Sequence, residues 1–303
     1  MATIDSAETS GGGETSGGAG EHRGSPTARR IMLGARLRRL REAVDISRAE
    51  AGFAIRSSES KISRLELGRV SFKPRDVADL LAMYGVTDTE KREAFLDMVK
   101  WSNEPGWWHR YTDSVADWFQ DYLGLEESAS RVQTWEQQFV PGLLQTEEYA
   151  KAIASHGWSP LAGQSVQRQV AVRMRRQALL AGPNPPKVWA VVDESVLRRP
   201  IGGRRVLLAQ IEHLLDLTKR PHITVQVVPD KFSGYAAEGA FTMLRFTEPE
   251  LPDVVYIEHL TGALYLDKRS DTELYGRAFD RLTVDASTPD HTRQLFMKAR
   301  AEI

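Results

Sequence analysis

The sequence predicts two folded domains: a five-helix α domain, followed by a mixed α+β domain with one sheet. Three observations lead to this prediction. The chain of 303 residues is long enough to bury two hydrophobic cores. Helical periodicity alone runs through residues 27–103, whereas β-like runs appear only in the second half of the chain. Residues 1–26 are mostly Gly, Ala, Ser and Thr, so we expect a disordered tail there and the α+β domain over 104–303.

The helices of the first domain are placed by caps and apolar stripes. The first helix, TARRIMLGARLRRLREA, carries an apolar stripe between its arginines, made of Ile31, Leu33, Leu37 and Leu40. Ser47 opens the second helix, and Glu50 completes an S-x-x-E capping box. The third helix begins near Ser58 and stops at Gly68. A fourth helix follows Pro74, and the fifth reads TDTEKREAFLDMVKW.

The second domain mixes helices with β-like runs. We expect helices over 113–138 and 146–155, separated by an apolar loop, and a long helix that ends at Gly182. The β-like runs are VWAVVD, ITVQVVP, FTMLRF, VVYIEH and ALYLD, with the helix RVLLAQIEHLLDLTKR between the first two. The tripeptide TGA predicts a hairpin between the last two runs. Helices near 271–284 and 290–301 close the chain.

Charge is divided unevenly along the chain. Residues 27–75 contain 13 Lys or Arg and 5 Asp or Glu, a local balance of +8 in a chain whose formal net charge is −1. A basic module on an acidic body most often binds nucleic acid. The sequence has no cysteine, no apolar run long enough to cross a bilayer and no export signal at its start. We therefore expect a cytoplasmic protein without disulfides or membrane contact.

The second and third helices have the residue pattern of a DNA-reading unit. Two short helices joined by a tight turn form a helix-turn-helix, whose second helix lies in the major groove. That helix needs polar side chains facing outward on its first turn and apolar side chains facing inward, which Ile62 and Leu65 supply. The outward set is Ser58, Glu59, Ser60, Lys61 and Arg64. A helical hairpin that serves only as a scaffold is the alternative, because polar outer faces are common.

The stretch ARLRRLREAVDISRAEAGFAIRSSESKISRLELGR resembles the phage-repressor-like, Xre-type helix-turn-helix domain over roughly residues 33–85. This chain departs from the family pattern in two places. Arg56 stands where the turn commonly carries Gly, so the turn is either altered or has its left-handed residue elsewhere. Glu59 stands where Gln is common, and a carboxylate near DNA is unfavourable unless it accepts from cytosine or pairs with a neighbour such as Lys61.

The resemblance implies which residues contact double-stranded DNA. Glu59, Ser60 and Arg64 would face base edges, whereas Arg48 and Arg69 would hold backbone phosphates. The full set assigned to DNA is Arg48, Ser58, Glu59, Ser60, Lys61, Ser63, Arg64 and Arg69. Because one short recognition helix discriminates poorly, we expect a homodimer whose two recognition helices, about 34 Å apart, read a pseudo-palindrome.

A second resemblance covers about residues 106–300. The segments GWWHRY, FVPGLLQTEEYAKA, RMRRQALL, VVDESVLRRPIGG, ITVQVVP and VVYIEHLTGALYLD are similar to the C-terminal domain of a large group of actinobacterial regulators with an Xre-type N-terminal domain. The resemblance implies a sequence-specific transcriptional regulator, often encoded beside a small partner protein and described as antitoxin-like. Such regulators are associated with development and antibiotic production in filamentous actinobacteria.

Catalytic and metal-binding patterns are weak in this sequence. Its seven histidines are scattered and form no H-E-x-x-H pair, so we expect no metal and no cofactor. The segments DES, at 193–195, and IEH, at 257–259, place acidic groups at strand ends, but no G-x-S-x-G elbow accompanies them. We expect no enzyme activity. Glu194 and Arg198 are better explained as a helix cap or an internal ion pair.

Tryptophans are unusually concentrated around the start of the second domain, at Trp101, Trp107, Trp108, Trp118 and Trp135. Buried aromatic residues dominate both small-molecule pockets and partner surfaces, and they also fill cores. The candidates for a partner or ligand site are Trp107, Trp108, Trp118 and Trp135. Three roles remain open for this domain: binding a small protein, sensing a metabolite, or dimerisation alone.

Overall fold

The structure, a computed structural model, describes residues 24–156, 166–230 and 239–303. The predicted tail lies outside the described residues up to position 23. Ser25 and Pro26, assigned to that tail from the sequence, instead form the N-cap and the first residue of a helix. The helices of the first domain are α1 (Pro26–Ala43), α2 (Arg48–Ala54), α3 (Glu59–Glu66), α4 (Pro74–Met83) and α5 (Thr89–Asn103).

Local caps set the boundaries of these helices as the sequence predicts. The Ser47 hydroxyl accepts from the Glu50 backbone N–H, and the Glu50 carboxylate accepts from the Ser47 backbone N–H. Gly68 follows α3 with φ of +66°, which ends the helix in the left-handed region. The core of this domain includes Leu33, Leu37, Ile62, Leu65, Val77, Leu80, Leu81, Phe95 and Val99.

Within the residues that the structure describes, the second domain contains six α-helices and six strands. The helices are α6 (Asp117–Ser128), α7 (Glu147–His156), α8 (Val166–Gln177), α9 (Arg204–Leu217), α10 (Arg269–Asp285) and α11 (Pro289–Glu302). The strands are β1 (Arg131–Glu136), β2 (Lys187–Asp193), β3 (Ile223–Val228), β4 (Phe241–Arg245), β5 (Val254–His259) and β6 (Gly262–Leu266). Among the described residues, no helix is both long and apolar enough to cross a membrane.

The helix expected over 113–138 is wrong in its second half, because residues 131–136 form strand β1. Its side chains are β-branched or aromatic at Val132, Thr134 and Trp135, which favours extended backbone. Both faces of the strand are buried, and Val132 and Trp135 enter different hydrophobic clusters. A strand buried on both faces lacks the polar–apolar alternation that would have distinguished it from a buried helix.

The six strands form one mixed sheet in the order β3-β2-β1-β4-β5-β6. Strands β1, β2 and β3 are parallel, whereas β4 runs antiparallel to both β1 and β5. The predicted hairpin is confirmed: β5 and β6 pair with His259 opposite Gly262, leaving a two-residue turn. Since β4 opposes both β1 and β5, the carboxyl ends of β1 and β5 lie at the same edge of the sheet.

Helices cover both faces of this sheet. One face carries Val132, Val188, Ala190 and Tyr256, in a cluster that extends to Ile211 of α9 and Phe296 of α11. The other face carries Trp135, Val191, Met243 and Val255, which pack with Phe279 and Leu282 of α10. The sheet therefore separates two cores, and the cavity described below lies on the first face.

Helix α1 packs against the second domain through α6. The Ser25 hydroxyl donates to the Gly124 carbonyl oxygen, and Arg30 forms an ion pair with Asp121 at 3.6 Å. A Cβ added at Gly124 would lie 2.6 Å from the Thr27 Oγ1, so only glycine allows this approach. Ile31, assigned from the sequence to one apolar stripe with Leu33 and Leu37, packs against the core of the second domain, whereas Leu33 and Leu37 lie in the first core.

Candidate functional site

The turn between α2 and α3 keeps the geometry of a tight helix-turn-helix. Arg56 itself adopts the left-handed backbone, with φ of +53°, so the left-handed residue has not moved despite the absence of glycine. This conformation costs a non-glycine residue roughly 1–2 kcal/mol, which the surrounding contacts must offset. The Ser58 hydroxyl then caps α3 by accepting from the Lys61 backbone N–H at 3.2 Å.

Helix α3 divides into an inner apolar face and an outer polar face. Ile62 and Leu65 are 1% and 2% exposed and belong to the core of the first domain. The exposed residues predicted to contact DNA are Ser58, Glu59, Ser60, Arg64 and Arg69, while Ser63 is half-buried. The structure therefore brings most of the predicted DNA-contacting set onto one solvent-facing side.

Two of the predicted DNA contacts are already held by carboxylates. The Lys61 ammonium lies 2.7 Å from the Asp76 carboxylate of α4, and not beside Glu59. The Arg48 guanidinium lies 3.2 Å from the Glu66 carboxylate, although the Arg48 side chain remains 37% exposed. A phosphate would have to share both cations with these partners.

A buried ion pair that the sequence analysis missed fixes α3 to α1. The Arg41 guanidinium donates to both carboxylate oxygens of Glu66, at 2.5 and 3.1 Å, and to the Ile46 carbonyl oxygen at 2.7 Å. Hydrogen bonding to Glu66 raises the pKa of Arg41. Gly34 adds a close helix contact, since a Cβ there would lie 2.4 Å from the Leu65 carbonyl oxygen. Helix α3 is therefore fixed to α1 by a buried ion pair and by a close backbone contact.

The second domain contains a cavity of about 520 Å³ between the sheet, α6, α8 and the short turn Gly142–Leu144. Its floor is the first face of the sheet, and Leu260, in the turn between β5 and β6, also lines it. The side chains that matter for its chemistry are Phe119, Tyr122, Glu126, Val132, Glu136, Leu143, Arg173, Arg176, Tyr256 and Glu258. Hereafter this space is called the sheet cavity.

One charged pair in the sheet cavity is satisfied internally. Arg176 donates from two nitrogens to the two oxygens of Glu126, each at 2.8 Å, and the Tyr122 hydroxyl donates to Glu126 at 2.8 Å. Burial alone lowers the pKa of Arg176, but the charge and hydrogen bonds of Glu126 outweigh it and raise that pKa overall. The pair of Glu126 and Arg176 therefore links α6 to α8, and each charge is matched by the other.

The remaining charged groups of the sheet cavity have incomplete partners. Burial, with a contribution from the like charge of Glu258, raises the pKa of Glu136 to about 8. Burial, with repulsion from Arg176, lowers the pKa of Arg173 to about 10, and its recorded hydrogen bond goes to the neutral Gln145 at 3.3 Å. Across the described ranges, Glu136 and the solvent-exposed Glu258 form no ion pair with a Lys, Arg or His side chain, although the charge of Glu258 partly raises the pKa of Arg173.

The four tryptophans predicted for a partner or ligand site do not form one site. Trp118 lies on the wall of the sheet cavity, while Trp107 lines a separate cavity of about 190 Å³. Trp108 is 5% exposed and packs edge-on to Trp107 at 5.8 Å, and Trp135 is 1% exposed on the opposite face of the sheet. Of the four tryptophans, only Trp118 lines the sheet cavity.

The two strand-end acidic segments have different fates. In DES, Asp193 caps a short turn and Glu194 pairs with Arg198 at 3.0 Å, which confirms the predicted ion pair. In IEH, Glu258 and His259 line the sheet cavity. No group of three or more His, Asp or Glu side chains within the described ranges is arranged to hold a metal ion.

Two family models match separate regions of the chain. Residues 32–94 match a helix-turn-helix domain, and residues 119–298 match a domain of unknown function (DUF5753). No curated protein and no solved structure is significantly similar to the chain. The second match covers more than half of the sequence. The chain therefore belongs to the DUF5753 family and carries a helix-turn-helix DNA-binding domain before the region that defines it.

Proposed function

We propose that this protein is a sequence-specific, non-enzymatic transcription regulator that reads DNA with α3. The observation that carries the proposal is the division of α3 into a buried apolar face and an exposed polar face on a tight left-handed turn. In this proposal helices α1 to α5 form one Xre-type unit, and α3 enters the major groove with its first turn toward the bases.

The exposed arginines are the strongest candidates for DNA contacts. Arg64 is exposed on the outer face of α3 and forms no ion pair within the described residues. Its guanidinium can therefore contact guanine by two hydrogen bonds. Arg69 lies just beyond α3 and is placed to contact a phosphate. Arg48 and Lys61 contribute less, because Glu66 and Asp76 already neutralise part of their charge.

Selection of binding sites from a random duplex library tests this proposal. A homodimer with two α3 helices predicts enrichment of an inverted repeat whose half-sites are centred about one helical turn, or a multiple of it, apart. Affinity for the selected sequence should exceed that for random duplex by at least about 1,000-fold at physiological salt. Retention of the protein on DNA without any enriched sequence would contradict specific reading.

The role of the second domain divides into two candidates. The resemblance to antitoxin-like regulators favours control by a small partner protein encoded nearby, with target genes in development or antibiotic production. The sheet cavity favours the alternative, a metabolite-sensing repressor. Native mass spectrometry of protein isolated from its own host separates them: a stoichiometric small polypeptide supports the first, whereas a bound small molecule supports the second.

A further inference from the structure

The sheet cavity presents charges of both signs that are not matched by each other. Glu126 and Arg176 form their own pair, which leaves Glu136, Glu258 and Arg173. Glu258 is near enough to raise the pKa of Arg173 in part, yet within the described residues no ion pair joins them. Two carboxylates and one guanidinium therefore face a shared space that is large enough for a ligand.

The Tyr256 hydroxyl is a second, independent sign of a ligand. Tyr256 lines the cavity and is 5% exposed, and its buried hydroxyl makes no hydrogen bond of normal geometry with a described atom, although the Glu258 carboxylate is near enough to help raise the pKa of Tyr256. Leaving a buried hydroxyl unpaired is unfavourable, so native proteins rarely do it without a bound molecule or water. The hydroxyl offers one donor to an occupant of the cavity.

The position of these groups in the fold also suits a ligand. Glu136 ends β1 and Glu258 lies near the end of β5, and these two ends share one edge of the sheet. Ligands of open α/β sheets bind beyond the carboxyl ends of strands. The apolar walls include Phe119, Val132 and Leu143, and a volume of about 520 Å³ lies in the range of small-molecule sites.

We propose that the sheet cavity binds a small zwitterion, an amino acid or short peptide with an apolar or aromatic side chain. Its ammonium group would lie between Glu136 and Glu258, and its carboxylate would contact Arg173. The Tyr256 hydroxyl would donate to the same carboxylate, and the side chain would pack against Phe119. The inference deepens the metabolite-sensing alternative of the proposed function and rests on that function only for its regulatory meaning.

Ligands with a single charge fit the cavity less well. A simple cation would contact the two carboxyl groups but leave the half-buried Arg173 guanidinium without an ion-pair partner. A simple anion would pair with Arg173 but face the repulsion of the Glu258 carboxylate, and it would leave the Glu136 carboxyl without a partner. A zwitterion satisfies both sides at once, which is why we favour it.

Calorimetric titration of the full-length protein with a defined panel tests the ligand class. The panel contains the apolar and aromatic amino acids, dipeptides of the same residues, tryptamine, which lacks the carboxylate, and indole-3-propionate, which lacks the ammonium. We expect one zwitterionic group to bind and both single-charge analogues to bind at least 10-fold more weakly. The comparison of free amino acids with dipeptides identifies the source of the ligand. No binding by any zwitterion, or equal binding by tryptamine, would overturn the inference.

Variants assign the binding to named side chains. Glu136→Gln and Arg173→Met should each weaken zwitterion binding at least 10-fold, and Tyr256→Phe about threefold. Glu212→Gln, on the exposed side of α9, is the matched control and should bind as the wild type does. Arg173→Met should also remove the preference for tryptophan over tryptamine. Binding by all three variants at the wild-type level would refute the assignment.

Operator binding, measured on the same variants, separates this inference from the proposed function. If Arg173→Met retains the selected DNA sequence but loses the zwitterion, the fold is intact and both proposals stand. If the wild-type protein binds DNA sequence-specifically but binds no zwitterion, only the inference about the cavity is contradicted. Zwitterion binding by a protein that selects no DNA sequence sinks the proposed function alone.

Discussion

The charged side chains of α3 and those of the sheet cavity differ in solvent exposure and in ion pairing. On α3 the polar groups point outward and the ion pair that anchors the helix, Arg41 with Glu66, is buried behind them. In the cavity Glu126 and Arg176 pair with each other, whereas the half-buried Glu136 and Arg173 and the exposed Glu258 are in no ion pair within the described residues. The first arrangement suits a large, flat, anionic partner, and the second suits a small molecule that can be enclosed.

The largest expected effect tests whether the cavity wall is structural. Glu126→Gln leaves the Arg176 guanidinium buried without its counter-charge, which should lower the free energy of unfolding by about 3–5 kcal/mol. Thermal and denaturant unfolding of the full chain measure the change. Glu273→Gln, in an exposed pair with Arg269, should leave the midpoint unchanged. Equal effects of the two variants would mean that burial does not distinguish the pairs.

The second prediction concerns reading by α3. Arg64→Ala should reduce affinity for the selected operator by about 1–3 kcal/mol and relax discrimination at one base position in each half-site. Quantitative binding to single-base operator variants measures the loss. Arg277→Ala, an exposed arginine on α10, controls for a general loss of positive charge. A uniform loss over all sequences would assign Arg64 to a phosphate instead.

The third prediction contrasts the pH response of the two regions. The pKa of Glu136 is about 8 in the folded chain against 4.5 for an ordinary glutamate, so between these values the folded state binds more protons than the unfolded state. Stability should therefore fall as pH rises through this window, by about 1–2 kcal/mol after allowance for partial solvent access. Unfolding of wild type and Glu136→Gln at several pH values measures it, and the variant should show a flatter profile. Parallel profiles would contradict the raised pKa.

The smallest expected effect lies at the edge of the DNA-binding surface. Arg48→Ala should weaken binding to all sequences alike and flatten the dependence of log affinity on log salt by less than about 1, since Glu66 already shares its charge. Salt titrations with operator and random duplex measure this slope. An altered sequence preference would place Arg48 at a base edge.

The same contrast explains what the sequence could predict. Caps such as Ser47 with Glu50, and the hairpin before Gly262, depend on residues a few positions apart, and the structure confirms them. Strand β1 was missed because its Val132 and Trp135 face two different cores, a fact that only the assembled sheet creates. Caps and turns can therefore be predicted from neighbouring residues, whereas the burial of a strand on both faces cannot.

The sheet cavity could not be predicted for a related reason. Its decisive groups come from β1, α8 and β5, which are separated along the chain by tens of residues, and no spacing rule links Glu136, Arg173 and Tyr256. The tryptophans were chosen by residue type, but three of the four lie outside that cavity. The acidic end of β5 was one sequence signal, but only the strand order shows that it lies at the same edge of the sheet as the end of β1.

The glycine contacts of α1 have a mechanical consequence. At one end Gly124 of α6 allows Thr27 to approach without clearance, and farther along Gly34 rests directly on the backbone of α3. Helix α6 is also a wall of the sheet cavity, through Phe119 and Tyr122. Because neither contact leaves clearance, α1 touches both α6 and α3 directly, and we expect a displacement of α6 to change the position of α3.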